Sequence, residues 1–164
     1  MTPVKDLFIT GLLNAHSMET QARELLERQS ERLDDYPEVK AKVTQHLAET
    51  DVQLERLKEC LQTFGEDPSS IKDAAQSFMG NMVAMAHSVA DDEILKNTFT
   101  NNAFENFEIA AYKSLLAMCG PAGANSCSPL LEANLREEEA MAKWIDSNIE
   151  KVTHAFVSRQ AQAA

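Results

Sequence analysis

At 164 residues the chain has the length of one domain, 1–164, enough to bury roughly two-thirds of the surface that an unfolded chain exposes. Five glycines, five prolines and 6% aromatics, with alanine, leucine and glutamate plentiful, favour an all-α protein. A net charge of −11 argues against the basic face that nucleic acid or a membrane surface would need, so neither is an expected partner.

Thr2 and Pro3 make a good helix start, a capping hydroxyl followed by proline in the first turn. The opening residues lack the basic region and cleavage site of a signal peptide, and no apolar run is long enough to span a membrane. Cys60, Cys119 and Cys127 are odd in number and match no metal or redox spacing, so a reducing cytosol is the simplest setting and a cytoplasmic location is expected.

The first helix is predicted over about 3–33, with Phe8, Leu12, Ala15, Glu19, Ala22, Leu26, Gln29 and Leu33 on one face. Asp34-Asp35-Tyr36-Pro37 forms a turn, because proline stops one helix and suits the first turn of the next. The second helix, about 38–64, carries Val39, Val43, His46, Thr50, Gln53, Leu57, Cys60 and Phe64, with Glu49 on the same face and Gly65 as C-cap. Asp67-Pro68 opens a softer connecting helix, about 68–89, with Ile71, Ala75, Phe78, Met82, Met85 and Val89 in its apolar slots and Met79 alongside. Gly80 inside it costs up to about 1 kcal/mol relative to alanine.

Asp91-Asp92-Glu93 places negative charge where the next helix, about 92–119, begins. Its seam holds Ile94, Thr98, Asn101, Glu105, Glu108, Tyr112, Leu115 and Cys119, and Gly120-Pro121-Ala122-Gly123 is expected to break it. The last helix, about 128–157, carries Leu131, Leu135, Glu138, Ala142, Ile145, Ile149, Val152 and Phe156, with the residues after it expected to fray. Short connections make the first two and the last two long helices antiparallel pairs. The connecting helix covers about 30 Å at 1.5 Å per residue, enough to return the chain along the bundle. The pattern describes a four-helix bundle with one extra helix in a long crossover.

Each long helix sets an acidic residue within its apolar seam: Glu19, Glu49, Glu105 with Glu108, and Glu138. Glu19 lies fifteen residues before Asp34 and Glu49 fourteen after Asp35. Glu108 lies sixteen before Ala124 and Glu138 fourteen after it, so the four helices aim carboxylates at one level. Buried ionised carboxylates cost several kcal/mol each unless compensated. No seam position is lysine or arginine, which leaves bound cations, protonation or trapped water. Two divalent metal ions would answer the charge most directly, and carboxylate with imidazole suits iron, manganese or zinc. His46 and His16 each precede a seam glutamate by three residues and can face the same layer. Gln53 and Tyr112, one turn from Glu49 and Glu108, are candidate hydrogen-bonding neighbours of the ligands. His87 and His154 read as ordinary surface residues.

The segments His16-Ser17-Met18-Glu19, His46-Leu47-Ala48-Glu49, Phe104-Glu105-Asn106-Phe107-Glu108-Ile109-Ala110-Ala111-Tyr112 and Leu135-Arg136-Glu137-Glu138 resemble the YciE/YciF family of the ferritin-like superfamily, the YciE branch more closely. The resemblance covers nearly the whole chain, including Asp35-Tyr36-Pro37-Glu38 and Ala142-Lys143-Trp144-Ile145. It implies a ferritin-like bundle, a homodimer and a stress-associated bacterial protein. It also implies a di-iron centre, two ions per chain, held by Glu19, Glu49, Glu105, Glu108 and Glu138; His46, by its own position in the seam, is a candidate sixth ligand. The well-known di-iron bundles use Glu-x-x-His on two helices. Here Val52 and Met141 stand three residues after Glu49 and Glu138, leaving a site rich in carboxylate and poor in histidine.

Two functions follow as expectations. In the first, the protein binds or oxidises iron, or reduces a small-molecule oxidant, oxygen or peroxide, during stress. In the second it is a metal-free dimeric interaction protein with a degenerate core, a reading that the missing Glu-x-x-His motifs favour. No Ser/His/Asp or Cys/His set suggests a hydrolase.

Overall fold

The computed structural model describes residues 3–68 and 92–163. Their helices are α1 (Pro3–Ser30), α2 (Pro37–Gln62), α3 (Glu93–Ala122) and α4 (Ser128–Ala163), with a single 3-10 turn at Asn125–Cys127 between the last two. From residue 69 onward the expected connecting helix, with Gly80, its methionines and His87, lies outside the described residues.

The helices pack α1 on α2, α3 on α4, α1 on α3 and α2 on α4. Each of these neighbouring pairs runs antiparallel, as cross-helix contacts show. Arg23 Nε donates to Asp51 at 2.7 Å between α1 and α2, and Lys113 Nζ meets Glu139 at 2.9 Å between α3 and α4. Cys60 and Leu61 near the end of α2 pack with Phe8, Cys119 and Leu131, whereas Ile94 at the start of α3 packs with Leu26, Val43 and Val152. α2 therefore ends and α3 begins at opposite ends of the bundle. The described residues form a four-helix bundle without strands.

Glycine sets two of the helix ends. Gly65, at φ 74°, lets its own N–H reach the Gln62 carbonyl at 3.0 Å and the Glu66 N–H reach that of Leu61 at 3.1 Å. This satisfies two carbonyls that the end of a helix leaves open. Gly123, at φ 71°, does the same for α3, with Ala124 N–H on the Cys119 carbonyl at 2.7 Å. Within the expected breaking segment it is Gly123 that ends the helix, which runs to Ala122, past the expected 119, with Gly120 and Pro121 inside it. Proline's fixed φ is helical, and in the last turn it forfeits only one backbone bond. α4 likewise runs to Ala163, past the expected end at 157, on a tail of good helix formers that includes Arg159, Gln160 and Ala161.

Two apolar clusters fill the bundle's ends. One is built on Phe8, Leu12, Leu57, Leu61, Leu115 and Leu131, the other on Leu26, Leu33, Val43, Ile94 and Val152. Between them lies a buried polar section holding Glu19, His46, Thr50, Gln53, Glu105, Glu108, Asn134 and Glu138.

Candidate metal centre

All four helices contribute to the middle of this section. α1 supplies Glu19, α2 His46, α3 Glu105 and Glu108, and α4 Glu138, each 3% exposed or less. His46 Nε2 lies 3.3 Å from Oε2 of Glu105 and 3.3 Å from Oε2 of Glu138. One donor atom from each of these three residues falls within 4.8 Å of the others, the spacing a single ion could bridge. On the far side of the ring, Nδ1 lies 3.0 Å from Glu49 Oε2.

The carboxylates are under-satisfied. Oε2 of Glu105, Oε1 of Glu108 and both oxygens of Glu138 are buried without a hydrogen-bond partner. Orphaned buried oxygens are costly, and buried charges are normally paired or ligate a metal. Burial and the neighbouring Glu138 push the Glu19 carboxyl well above its usual range, and burial with Glu19 does the same to Glu108. Burial pushes Glu105 up to about 8. For His46, burial alone would lower the pKa, but the adjacent Glu105, Glu138 and Glu49 carboxylates hold it well above the usual value. The same bond holds Glu49 below its usual range. The folded chain on its own keeps protons on acids that water would strip, and a divalent cation would take their place. Four carboxylates with one imidazole suit iron, manganese or zinc, so the residues fit such an ion.

Glu49 stands at the rim, 25% exposed. His16 is half-buried, and the charges it feels are Glu55, Lys58 and Asp67, none of them in the cluster. Gln53 is buried and donates to Glu137 Oε2 at 3.0 Å. The Tyr112 hydroxyl donates to Glu19 Oε1 at 2.5 Å. His154 is exposed.

The sequence reasoning missed Asn134, Arg56 and Glu137. Asn134, fully buried, donates to the Tyr112 hydroxyl at 3.0 Å and accepts from Arg56 at 3.0 Å, while Arg56 also donates to Glu137 at 2.7 Å. The available signal was spacing: Asn134 precedes Glu138 by four residues and follows Leu131 by three. The apolar seam passed instead through Leu135, one position away, which is only half-buried.

The family model described as "Domain of unknown function (DUF892)" matches residues 3–158. A Xanthomonas campestris protein of solved structure is 26% identical, the match covering 98% of this chain and 99% of that one at a TM-score of 0.81. The E. coli stress protein YciF is 22% identical over 94% of this chain and 99% of its own, at 0.79. A Desulfovibrio desulfuricans bacterioferritin, solved with its diiron site in different catalytic states, is 21% identical over 98% and 88%, at 0.75. The latter two likenesses are of fold, and they make this bundle ferritin-like. Among the described residues no helix is long and apolar enough to cross a membrane.

Proposed function

The chain belongs to the DUF892 family, and from that premise we propose that its core binds two divalent transition-metal ions per chain, iron before manganese or zinc. The observation that carries this reading is the set of buried carboxylate oxygens on Glu105, Glu108 and Glu138 that no protein donor satisfies. Glu19, His46, Glu105, Glu108 and Glu138 would hold the ions, with Glu49 at the rim behind the His46 ring. Bound iron would supply one-electron chemistry toward oxygen or peroxide.

The chain's own groups prepare the place. Glu105, whose carboxyl burial pushes up to about 8, would release its proton on taking up an ion, and Tyr112 holds Glu19 by donating to Oε1. The apolar clusters on either side of the layer keep bulk water out, which strengthens every electrostatic contact inside it. We further place the chain in the YciE branch, as a homodimer acting in the cytoplasm of bacteria under stress. The segments quoted above support the branch, the fold shared with the E. coli stress protein YciF supports the stress association, and three buried free cysteines support the cytoplasmic setting.

Elemental analysis of protein purified without chelator, repeated after anaerobic iron(II) incubation, tests the proposal, and an anomalous-scattering map would place any ion. About two ions per chain is the expected result. Less than about a tenth of that, persisting after incubation, would overturn it and favour the metal-free interaction protein.

A further inference from the structure

We propose that Glu49 is a positioning residue, acting on the metal through His46 and not ligating it; this rests on the two-ion reading of the core. The resemblance counts Glu49 among the ligands, but its oxygens are otherwise engaged. Oε2 lies 3.0 Å from His46 Nδ1, and Oε1 accepts from Gln45 Nε2 at 2.8 Å. Glu105, Glu108 and Glu138, by contrast, each hold at least one buried oxygen without a partner. Exposure divides them the same way, with Glu49 25% exposed and Glu138 fully buried.

The ring geometry assigns the role. An ionised carboxylate accepts and cannot donate, so the proton of the His46–Glu49 bond sits on Nδ1. Release of the other ring proton on metal uptake would then leave the lone pair on Nε2, which faces Glu105 and Glu138 at 3.3 Å each. This is the tautomer and orientation that a metal-ligating histidine requires, fixed by a carboxylate behind the ring. Turning Glu49 inward as a ligand would break both of its bonds and strand Nδ1 on a side chain 2% exposed.

The test uses the intact chain, titrated anaerobically with iron(II) and with zinc(II), as wild type, Glu49→Gln and Glu49→Ala. The expected result is unchanged stoichiometry in both variants with affinity weakened about 10- to 100-fold, and less so for Glu49→Gln, which keeps an acceptor. In the zinc-loaded protein labelled with nitrogen-15 histidine, His46 should show a slowly exchanging Nδ1 proton and a metal-bound Nε2. In Glu49→Ala that proton should exchange rapidly. A variant holding one ion fewer would make Glu49 a ligand and overturn the inference. Unchanged affinity with an unchanged His46 spectrum would overturn it too. Wild-type protein that takes up neither metal would instead bring down the two-ion reading itself.

Discussion

The Tyr112 hydroxyl and Glu19 Oε1 meet at 2.5 Å, tying α3 to α1 across 93 positions of sequence. Both groups are buried, and Asn134 donates to the same hydroxyl at 3.0 Å. Tyr112→Phe removes the donor to Glu19 and leaves Asn134 Nδ2 with only the Gln53 carbonyl at 3.4 Å. Orphaning buried polar groups costs about 1–3 kcal/mol, so the melting temperature of the metal-free protein should fall by roughly 3–10 °C. Circular dichroism melting measures this, and metal stoichiometry should be unchanged. A melting temperature equal to that of wild type would mean the bond adds nothing.

The metal-free bundle should lose stability as the pH rises. Glu105, raised from the ordinary 4.5 to about 8, keeps in the fold a proton that the unfolded chain releases, as do Glu19 and Glu108. Their contribution is greatest below the ordinary carboxyl value and is lost as pH climbs through about 8. His46, raised above 6.5, has the same sign, since its charged form is favoured in the fold and that stability fades above the ordinary value. Glu49, lowered, acts oppositely and loses its contribution as the pH falls, but its partial exposure screens it. Urea midpoints at several pH values between about 5 and 8 should therefore decline. Bound metal should reverse the trend, because the ligands must be deprotonated to hold it. Midpoints rising with pH in the metal-free protein would contradict this account of the core.

Glu138→Gln should remove most of the stabilisation that metal brings. Neither carboxylate oxygen of Glu138 has a hydrogen-bond partner, and Oε2 is one of the two carboxylate oxygens that converge on His46 Nε2. At about 100 times its dissociation constant an ion stabilises the fold by about 2.7 kcal/mol, a melting shift of several degrees. Thermal melts with and without zinc(II) should show that shift in wild type and little of it in the variant. An equal shift in both would exclude Glu138 as a ligand.

One layer beyond the carboxylates, Gln29 and Asn101 exchange amide bonds at 3.0 and 2.8 Å, both buried. Gln29→Leu or Asn101→Leu alone strands the partner's amide and should cost about 1–3 kcal/mol. The double substitution strands neither, so its cost should be well below the sum of the two. A double-mutant cycle from urea unfolding measures the coupling, and strict additivity would show the two amides to be independent.

Local chemistry was legible in the order of the residues. The period of the apolar positions marked the buried faces of α1 and α3 down to Gln29 and Glu108, and Gly65 announced its own left-handed turn. Counting from the two turns brought Glu19, Glu108 and Glu138 to one depth, because rise per residue is the same in every helix. Other choices belonged to the packing. His46 and Glu49 share a face of α2, yet three residues leave them about 60° apart around its axis. Only the approach of α3 and α4 directs His46 inward and leaves Glu49 at the rim. The same ambiguity concealed Asn134 behind Leu135, since both rows lie close enough to the seam for either to be buried. Bonds such as Tyr112 to Glu19 and Gln29 to Asn101 join positions 93 and 72 residues apart. A helical period records which face of one helix turns inward, whereas the partner met there depends on how neighbouring helices rotate against it.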